Sequence, residues 1–85
     1  MDEYHLIKRV INEWDPMGLL DMGEPHDAYS LEIKEVLKTL NYMQSTEELT
    51  LGIRQIFIYF FGQEFEEYFA VEKCYPFALE IWGNR

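Results

Sequence analysis

Apolar residues recur at helical spacing in four stretches of the chain. In the first stretch the apolar positions are i, i+1, i+4, i+5 and i+8, counted from Leu6, and in the second they are i, i+3, i+4 and i+7, counted from Ile33. Both patterns indicate an amphipathic helix. The third stretch, residues 49–61, is apolar nearly all round, which is typical of a helix covered on several sides unless one face is left open for a partner. A helical stripe returns between Cys74 and Ile81.

These stretches predict an all-α fold, because no alternation strong enough for a sheet is present. We expect a small four-helix bundle-like single domain over residues 1–85, with a long ordered loop between helices 1 and 2 and the third helix at the centre of the packing. The helices are predicted at about residues 3–14, 30–41, 45–61 and 72–82.

Residues with special backbone preferences mark the ends of the first three helices. Pro16 limits the first helix, since the residue before a proline is disfavoured in the α region, and Asp15-Pro16-Met17-Gly18 fits a type I turn. Ser30 is the expected N-cap of the second helix, with Glu32 in its first turn. The other expected end signals are Asn41 in a left-handed conformation, a Ser45/Glu48 capping box and Gly62 as the C-terminal glycine.

Pro76 lies inside the stripe of the fourth helix. An interior proline costs about 3 kcal/mol, whereas a proline in the first turn is tolerated. We therefore expect this helix effectively to begin around residues 73–75, with a kink at Pro76 as the alternative.

The loop between helices 1 and 2 contains the richest mixture of special residue types in the chain. Gly23 and Pro25 interrupt it a second time, and a loop of this length usually carries function or is held down by its own side chains. Leu19, Leu20 and Met22 are expected to be buried, so the loop should be partly packed.

Composition and charge narrow the function classes. Apolar residues make up 48% and aromatic residues 16% of the 85-residue chain, which is enough for a core without disulfide or metal support and argues against disorder. The net charge of −9 disfavours nucleic-acid and anionic-membrane partners, and a basic protein partner would be attracted and steered. The simpler explanation of the charge is that it only keeps the protein soluble. No apolar run approaches a membrane span, and a single cysteine without a signal segment predicts a cytoplasmic protein.

Catalytic and metal-site patterns are weak. His5, His26 and Cys74 fall in three different elements, and neither HExxH, CxxC nor a glycine-rich nucleotide motif occurs. The loop acids do not fit an EF-hand, because Met17 and Leu19 stand where oxygen ligands are required. We expect Cys74 to be a core residue, and we predict no catalytic residue, no metal and no cofactor.

The loop and its two ends therefore supply the candidate interaction surface. Trp14 and Tyr29 are either core anchors that hold the ends of the loop or contacts for a partner. The acids between them have no explanation in backbone geometry. The predicted surface consists of Trp14, Asp15, Asp21, Glu24, Asp27 and Tyr29.

The segments INEWDPMGLL (11–20) and GEPHDAYSLEI (23–33) resemble the DUF1871 family, whose pattern is roughly W-D-P-[IL]-x-L followed by G-x-P-x-D-E-Y-x-x-E-I. Ala28 departs from this pattern, since an acid is common there. The resemblance implies a short, all-helical bacterial protein, typical of Bacillus and its relatives, with no established role. The motif is also similar to that of small acidic proteins proposed as immunity proteins of bacterial toxin systems.

Three hypotheses follow. The first is a non-enzymatic protein that acts by protein–protein interaction, as an immunity-type protein or an adaptor. The alternative is a small-molecule binder or enzyme that uses the acidic 14–29 loop with Tyr29 and His26. The third is a structural role for the loop acids, with self-association through aromatic surface residues, namely Tyr59, Phe61, Phe65 and Phe69.

Overall fold

The computed structural model describes residues 2–85, and these form four α-helices and no strand. A short 3₁₀ turn, Gln63–Phe65, follows the third helix. The all-α prediction and the long loop between the first two helices are confirmed. The helices are α1 Glu3–Trp14, α2 Ser30–Leu40, α3 Thr46–Phe61 and α4 Val71–Asn84.

The four helices form a closed ring in which each packs against two neighbours. The adjacent pairs are α1 with α2, α2 with α3, α3 with α4, and α4 with α1. The prediction that α3 is the centre of the packing is therefore wrong: α1 and α3 lie diagonally and meet through side chains such as Trp14 and Phe57. Every helix instead contributes its apolar stripe to one shared core, which includes Ile7, Ile11, Ile33, Leu40, Ile53, Phe57 and Ile81.

Asp2 begins α1 and Asp15 ends it. The Asp2 carboxylate accepts a hydrogen bond from the His5 amide at 2.8 Å, which caps the first turn. Asp15 is left-handed (φ 47°), and its amide donates to the Ile11 carbonyl at 2.8 Å. The predicted turn is present, because the Gly18 amide donates to the Asp15 carbonyl at 2.9 Å.

The predicted N-cap of α2 is wrong, and at the other end Asn41 is the C-cap residue as expected but is not left-handed. Ser30 is the first helical residue and Tyr29 occupies the N-cap position without a side-chain cap bond. The reason is that the helix starts one residue earlier than expected: the Ser30 amide donates to the Asp27 carbonyl at 3.0 Å, and the Ile33 amide, which a Ser30 cap could have bound, donates to the Tyr29 carbonyl at 2.9 Å. Asn41 is right-handed (φ −65°), because the chain leaves the helix through further turns at Tyr42 and Met43.

The capping box of α3 is confirmed in its first half. The Ser45 hydroxyl accepts from the Glu48 amide at 3.1 Å. The returning Glu48 carboxylate accepts from the Gln44 amide at 3.2 Å, one residue before the expected position. At the other end Gly62 adopts φ 116°, a conformation that favours glycine.

The expected late start of α4 is wrong, since the helix begins at Val71 and contains Pro76 in its second turn. The first turn closes before the proline, because the Ala70 carbonyl accepts from the Lys73 amide at 2.9 Å and from the Cys74 amide at 3.1 Å. Pro76 removes the helical donor for the Glu72 carbonyl. Glu72 is exposed, so water can replace that donor.

Candidate functional site

The loop 15–29 is organised around one hydrogen bond between its two ends. The Tyr29 hydroxyl donates to Asp15 Oδ1 at 2.7 Å. The α1 C-terminus positions the carboxylate, and the start of α2 positions the phenol, whose side chain is 0% exposed. This bond ties the beginning of the loop to its end.

The same two side chains bind the backbone of the loop. The Tyr29 hydroxyl accepts from the Met17 amide at 3.0 Å and from the Leu19 amide at 3.4 Å. The Asp15 carboxylate accepts from the Leu20 amide at 3.1 Å and from the Asp21 amide at 3.0 Å. We call Asp15 and Tyr29 the loop hub, because together they hold the polypeptide from residue 17 to residue 21.

The hub also fixes its own protonation. Partial burial favours the neutral form of Asp15, but the hydrogen bonds from Tyr29 and from the loop amides outweigh it and hold the pKa of Asp15 below its usual value. Burial, together with the bond to Asp15, raises the pKa of Tyr29 to about 12. At neutral pH the carboxylate therefore accepts and the phenol donates, and neither group is poised to transfer a proton.

The lowered pKa of Asp15 predicts how stability depends on pH. The unfolded chain takes up a proton at Asp15 more readily than the folded chain, so the stabilisation is present above the unfolded pKa and is lost as the pH falls through the folded one. We expect the free energy of unfolding to fall less between about pH 5 and about pH 3 in Asp15→Asn than in the parent. Urea unfolding at several pH values measures this. Asp21→Asn, exposed on the same loop, is the control, and equal slopes for all three proteins would refute the assignment.

Trp14 anchors the loop from the α1 side. Its ring stacks on Phe77 of α4 with centroids 4.3 Å apart and an interplanar angle of 11°. It also meets Phe57 of α3 at 5.6 Å and Phe69 at 6.0 Å. Trp14 is half-buried and packs against the core. Its ring thus joins the end of α1 to α3, to α4 and to the turn between them.

Tyr68 is a second anchor, which the sequence analysis missed. Its hydroxyl donates to the carbonyl of Pro16, and Pro16 is buried. Tyr68 lies 52 residues from Pro16 in the chain. No local pattern marks such a contact, because it exists only once the turn after α3 packs against the loop.

The structure divides the predicted interaction surface into two groups. Tyr29 is fully buried and Asp15 is engaged in the hub, so these two side chains face the interior of the loop. Trp14 is half-buried and packs against the core. The exposed group consists of Asp21, Glu24 and Asp27.

The apolar residues of the loop are also divided. Leu19 and Leu20 pack against the core as expected, but the expectation that Met22 is buried is wrong, since it is 71% exposed. Met22 and the glycine that follows it, Gly23 (φ 93°), form a turn, with the Gly23 amide donating to the Leu20 carbonyl at 3.0 Å. That turn directs the methionine side chain away from the core. The exposed edge of the loop, residues 21–27, thus combines three acids with one apolar side chain; we call it the acidic edge.

The residues considered for nucleophilic chemistry are not brought together. Cys74 is buried, its thiol donates to the Phe69 carbonyl at 3.4 Å, and burial raises its pKa to about 11. His26 is exposed on the loop, and His5 contacts Asp2 at 2.9 Å at the start of α1. Within residues 2–85 no three groups of the metal-binding types lie close enough together to hold an ion.

Glu32 is a buried acid that the sequence analysis placed in the first turn of α2 without expecting burial. It is 5% exposed, and its Oε1 has no hydrogen-bond partner. Burial raises its pKa above the usual value. The position next to Ile33 on the apolar stripe was the available signal, but a charged residue in a first turn is ordinarily exposed.

A groove of about 560 Å³ lies between α2 and α3. Its walls include Met43, Ile56, Tyr59 and Phe60, together with Glu35 and Thr39. A second depression, of about 450 Å³, adjoins it across Tyr59 and is lined mainly by polar residues. Neither cavity includes a residue of the loop 15–29.

Over residues 2–85, no helix has both the length and the apolarity needed to cross a bilayer.

The family model described as "Domain of unknown function (DUF1871)" matches residues 6–82, which include the loop hub, α2 and α3 and most of α1 and α4. No curated protein and no solved structure matches the chain.

Proposed function

The chain belongs to the DUF1871 family, whose function is unknown, and we propose that it is a non-enzymatic protein that binds a basic protein partner through its acidic edge. An immunity-type protein and an adaptor both act in this way. The proposal does not depend on which of the two roles applies.

The observation that carries the proposal is the contrast between the two kinds of acid in the loop. Asp15 uses its carboxylate to hold the backbone in place. Asp21, Glu24 and Asp27 are exposed, and none of them forms an ion pair within residues 2–85. A rigid backbone that holds unpaired charges outward lowers the entropy lost when a partner binds.

Charge supports a basic partner. The chain carries −9 overall, so a positively charged protein is attracted from a distance and steered toward it. Exposed Met22 adds an adaptable apolar contact within the acidic edge. Acids around an apolar centre match the general anatomy of a protein interface.

The use of the polar groups in the loop favours binding of a partner over catalysis. The two groups that resemble an acid–base pair, Asp15 and Tyr29, are committed to backbone amides. The exposed acids line neither of the two cavities described above, and catalysis needs a concave place in which a substrate is held.

Self-association is the second candidate, and one observation favours it. Tyr59 of α3 is 82% exposed and Tyr42 after α2 is 81% exposed. Two large aromatic side chains in solvent are typical of a contact surface. Sedimentation over a range of protein concentrations distinguishes a monomer from a dimer built on this surface.

Charge-neutral variants test the proposed function. We expect the parent protein, immobilised at low salt, to capture a basic protein from the lysate of its native host. The variant Asp21→Asn/Glu24→Gln/Asp27→Asn should lose at least about 90% of that capture, because electrostatic contacts at an interface depend on both charges. The matched control removes three exposed acids elsewhere, with Glu64→Gln, Glu67→Gln and Glu72→Gln. Equal losses in both variants, or no specific basic protein captured, would overturn the proposal.

A further inference from the structure

We propose that the groove between α2 and α3 is a docking site for one amphipathic, basic helix of a partner protein. The proposal goes beyond the proposed function, because the groove shares no residue with the loop 15–29.

Apolar side chains form much of the groove lining although the groove is open to solvent, and Glu35, Thr39 and Gln55 are its polar lining residues. Ile56 and Phe60 are half-buried, and the Tyr59 ring stands at its edge, in edge-to-face contact with the Phe60 ring at 5.2 Å. The Thr39 hydroxyl donates to the carbonyls of Glu35 and Val36, at 3.1 and 3.2 Å. The hydroxyl of Thr39 is therefore satisfied by its own helix.

Gly52 provides the space in which the Met43 side chain lies along the groove. It lies within α3, where glycine is unfavourable relative to other residues, and it lines the groove. A Cβ atom at this position would lie 2.8 Å from the terminal methyl carbon of Met43. Met43 thus lies against the bare backbone of α3, and its flexible thioether can move to fit an incoming side chain.

The helical walls of the groove favour a helix as its occupant. Two helices, α2 and α3, form the walls, and a groove between helices accepts the apolar face of a third through side chains at i, i+3, i+4 and i+7. A second copy of the chain is disfavoured, since two molecules of charge −9 repel each other.

Charge selects a basic helix. Glu35 is the one charged residue that lines the groove, and it forms no ion pair within residues 2–85. A lysine or arginine beside the apolar face of the incoming helix would meet this carboxylate. An acidic helix would be repelled by the Glu35 carboxylate and by the negative charge of the whole protein.

Titration with designed peptides tests the proposal. The probe is a leucine–lysine peptide of about 16 residues, the length of α3, arranged as an amphipathic helix. Its comparison peptides are a scrambled sequence of the same composition and a leucine–glutamate helix. We expect saturable NMR shifts of the amides of Gly52, Gln55 and Tyr59 with the leucine–lysine helix, and weaker binding of both other peptides.

A pair of glycine variants gives the matched control. Gly52→Leu fills the groove, is favoured by helix propensity and meets only the mobile end of Met43, so the protein should fold while its affinity for the helix falls about tenfold or more. Gly83→Leu makes the same change near the end of α4, where nothing lies within 4 Å, and should leave the affinity unchanged.

Four outcomes would overturn the proposal. Equal binding of the scrambled peptide would reduce the interaction to charge, and equal binding of the leucine–glutamate helix would remove the basic partner. Shifts confined to the amides of residues 21–27 would place binding at the acidic edge, which would leave the proposed function standing. Concentration-dependent shifts at Tyr59 without any peptide would make a second copy the occupant.

Discussion

Replacing Trp14 with alanine is expected to lower the free energy of unfolding by about 3 kcal/mol. The indole stacks on Phe77 and also contacts Phe57 and Phe69, so its removal leaves a space bordered by α3, α4 and the turn between them. A small domain has roughly 5–10 kcal/mol of stability in total, and the loss should lower Tm by about 12 °C or more.

Urea unfolding followed by circular dichroism measures this effect. Tyr59→Ala is the control, because it removes an aromatic ring that is 82% exposed and should cost less than about 0.5 kcal/mol. Trp14→Phe should retain much of the stability, since a smaller ring can still pack on Phe77. If Trp14→Ala were as stable as the control, the indole would not be a structural anchor, and a role in partner contact would become the better interpretation.

Tyr29→Phe should destabilise the protein by about 2 kcal/mol although it removes a single oxygen atom. That oxygen donates to Asp15 and accepts from the amides of Met17 and Leu19. Phenylalanine would fill the same volume but leave the Met17 amide without its partner in a partly buried position. The cost therefore arises from unsatisfied polar groups and not from lost packing.

Hydrogen exchange gives a local measurement beside the global one. In Tyr29→Phe the amides of residues 17–21 should exchange faster, while the amides of α3 keep their protection once global stability is taken into account. Tyr42→Phe removes the same atom from a tyrosine that is 81% exposed and should change neither quantity. Equal stability of the two variants would show that the loop hub does not hold the loop.

The two variants also bear on the proposed function. Trp14→Ala weakens the attachment of α1 to the core, whereas Tyr29→Phe loosens the loop and leaves the acids of the acidic edge in place. If a rigid loop matters for binding, Tyr29→Phe should weaken capture of the partner without any change in charge.

Local signals in the sequence predicted the helices well. The bounds of α1 agree with the prediction, and those of α2 and α3 agree within one residue, because helical periodicity and end signals are properties of neighbouring residues. The Ser45 cap and the turn at Asp15 were found for the same reason. The start of α4 agrees with the predicted bound of about 72 within one residue. The expectation that Pro76 would lie in the first turn was wrong, since the rule against interior proline takes no account of a carbonyl that water can reach.

The sequence did not predict which residues of the candidate site are bonded within the loop and which are exposed. The sequence identified the acids and aromatics around residues 14–29 as one set. It did not show that Asp15 and Tyr29 bind each other, that Met22 is exposed, or that Tyr68 reaches Pro16. Glu32 was treated as a first-turn acid, and its burial depends on what packs over α2.

The sequence by itself thus determined the helical elements, the long loop and the negative charge, because each of these depends on composition or on residues close together in the chain. The tertiary structure decided which polar groups are bonded within the loop and which are exposed to solvent. Asp15 and Asp21 are both loop aspartates, and only the position of the Tyr29 hydroxyl, brought close by the packing of α1 against α2, separates the structural acid from the exposed one. A side chain is buried only when other residues pack over it, and in this protein many of those residues are distant in the sequence.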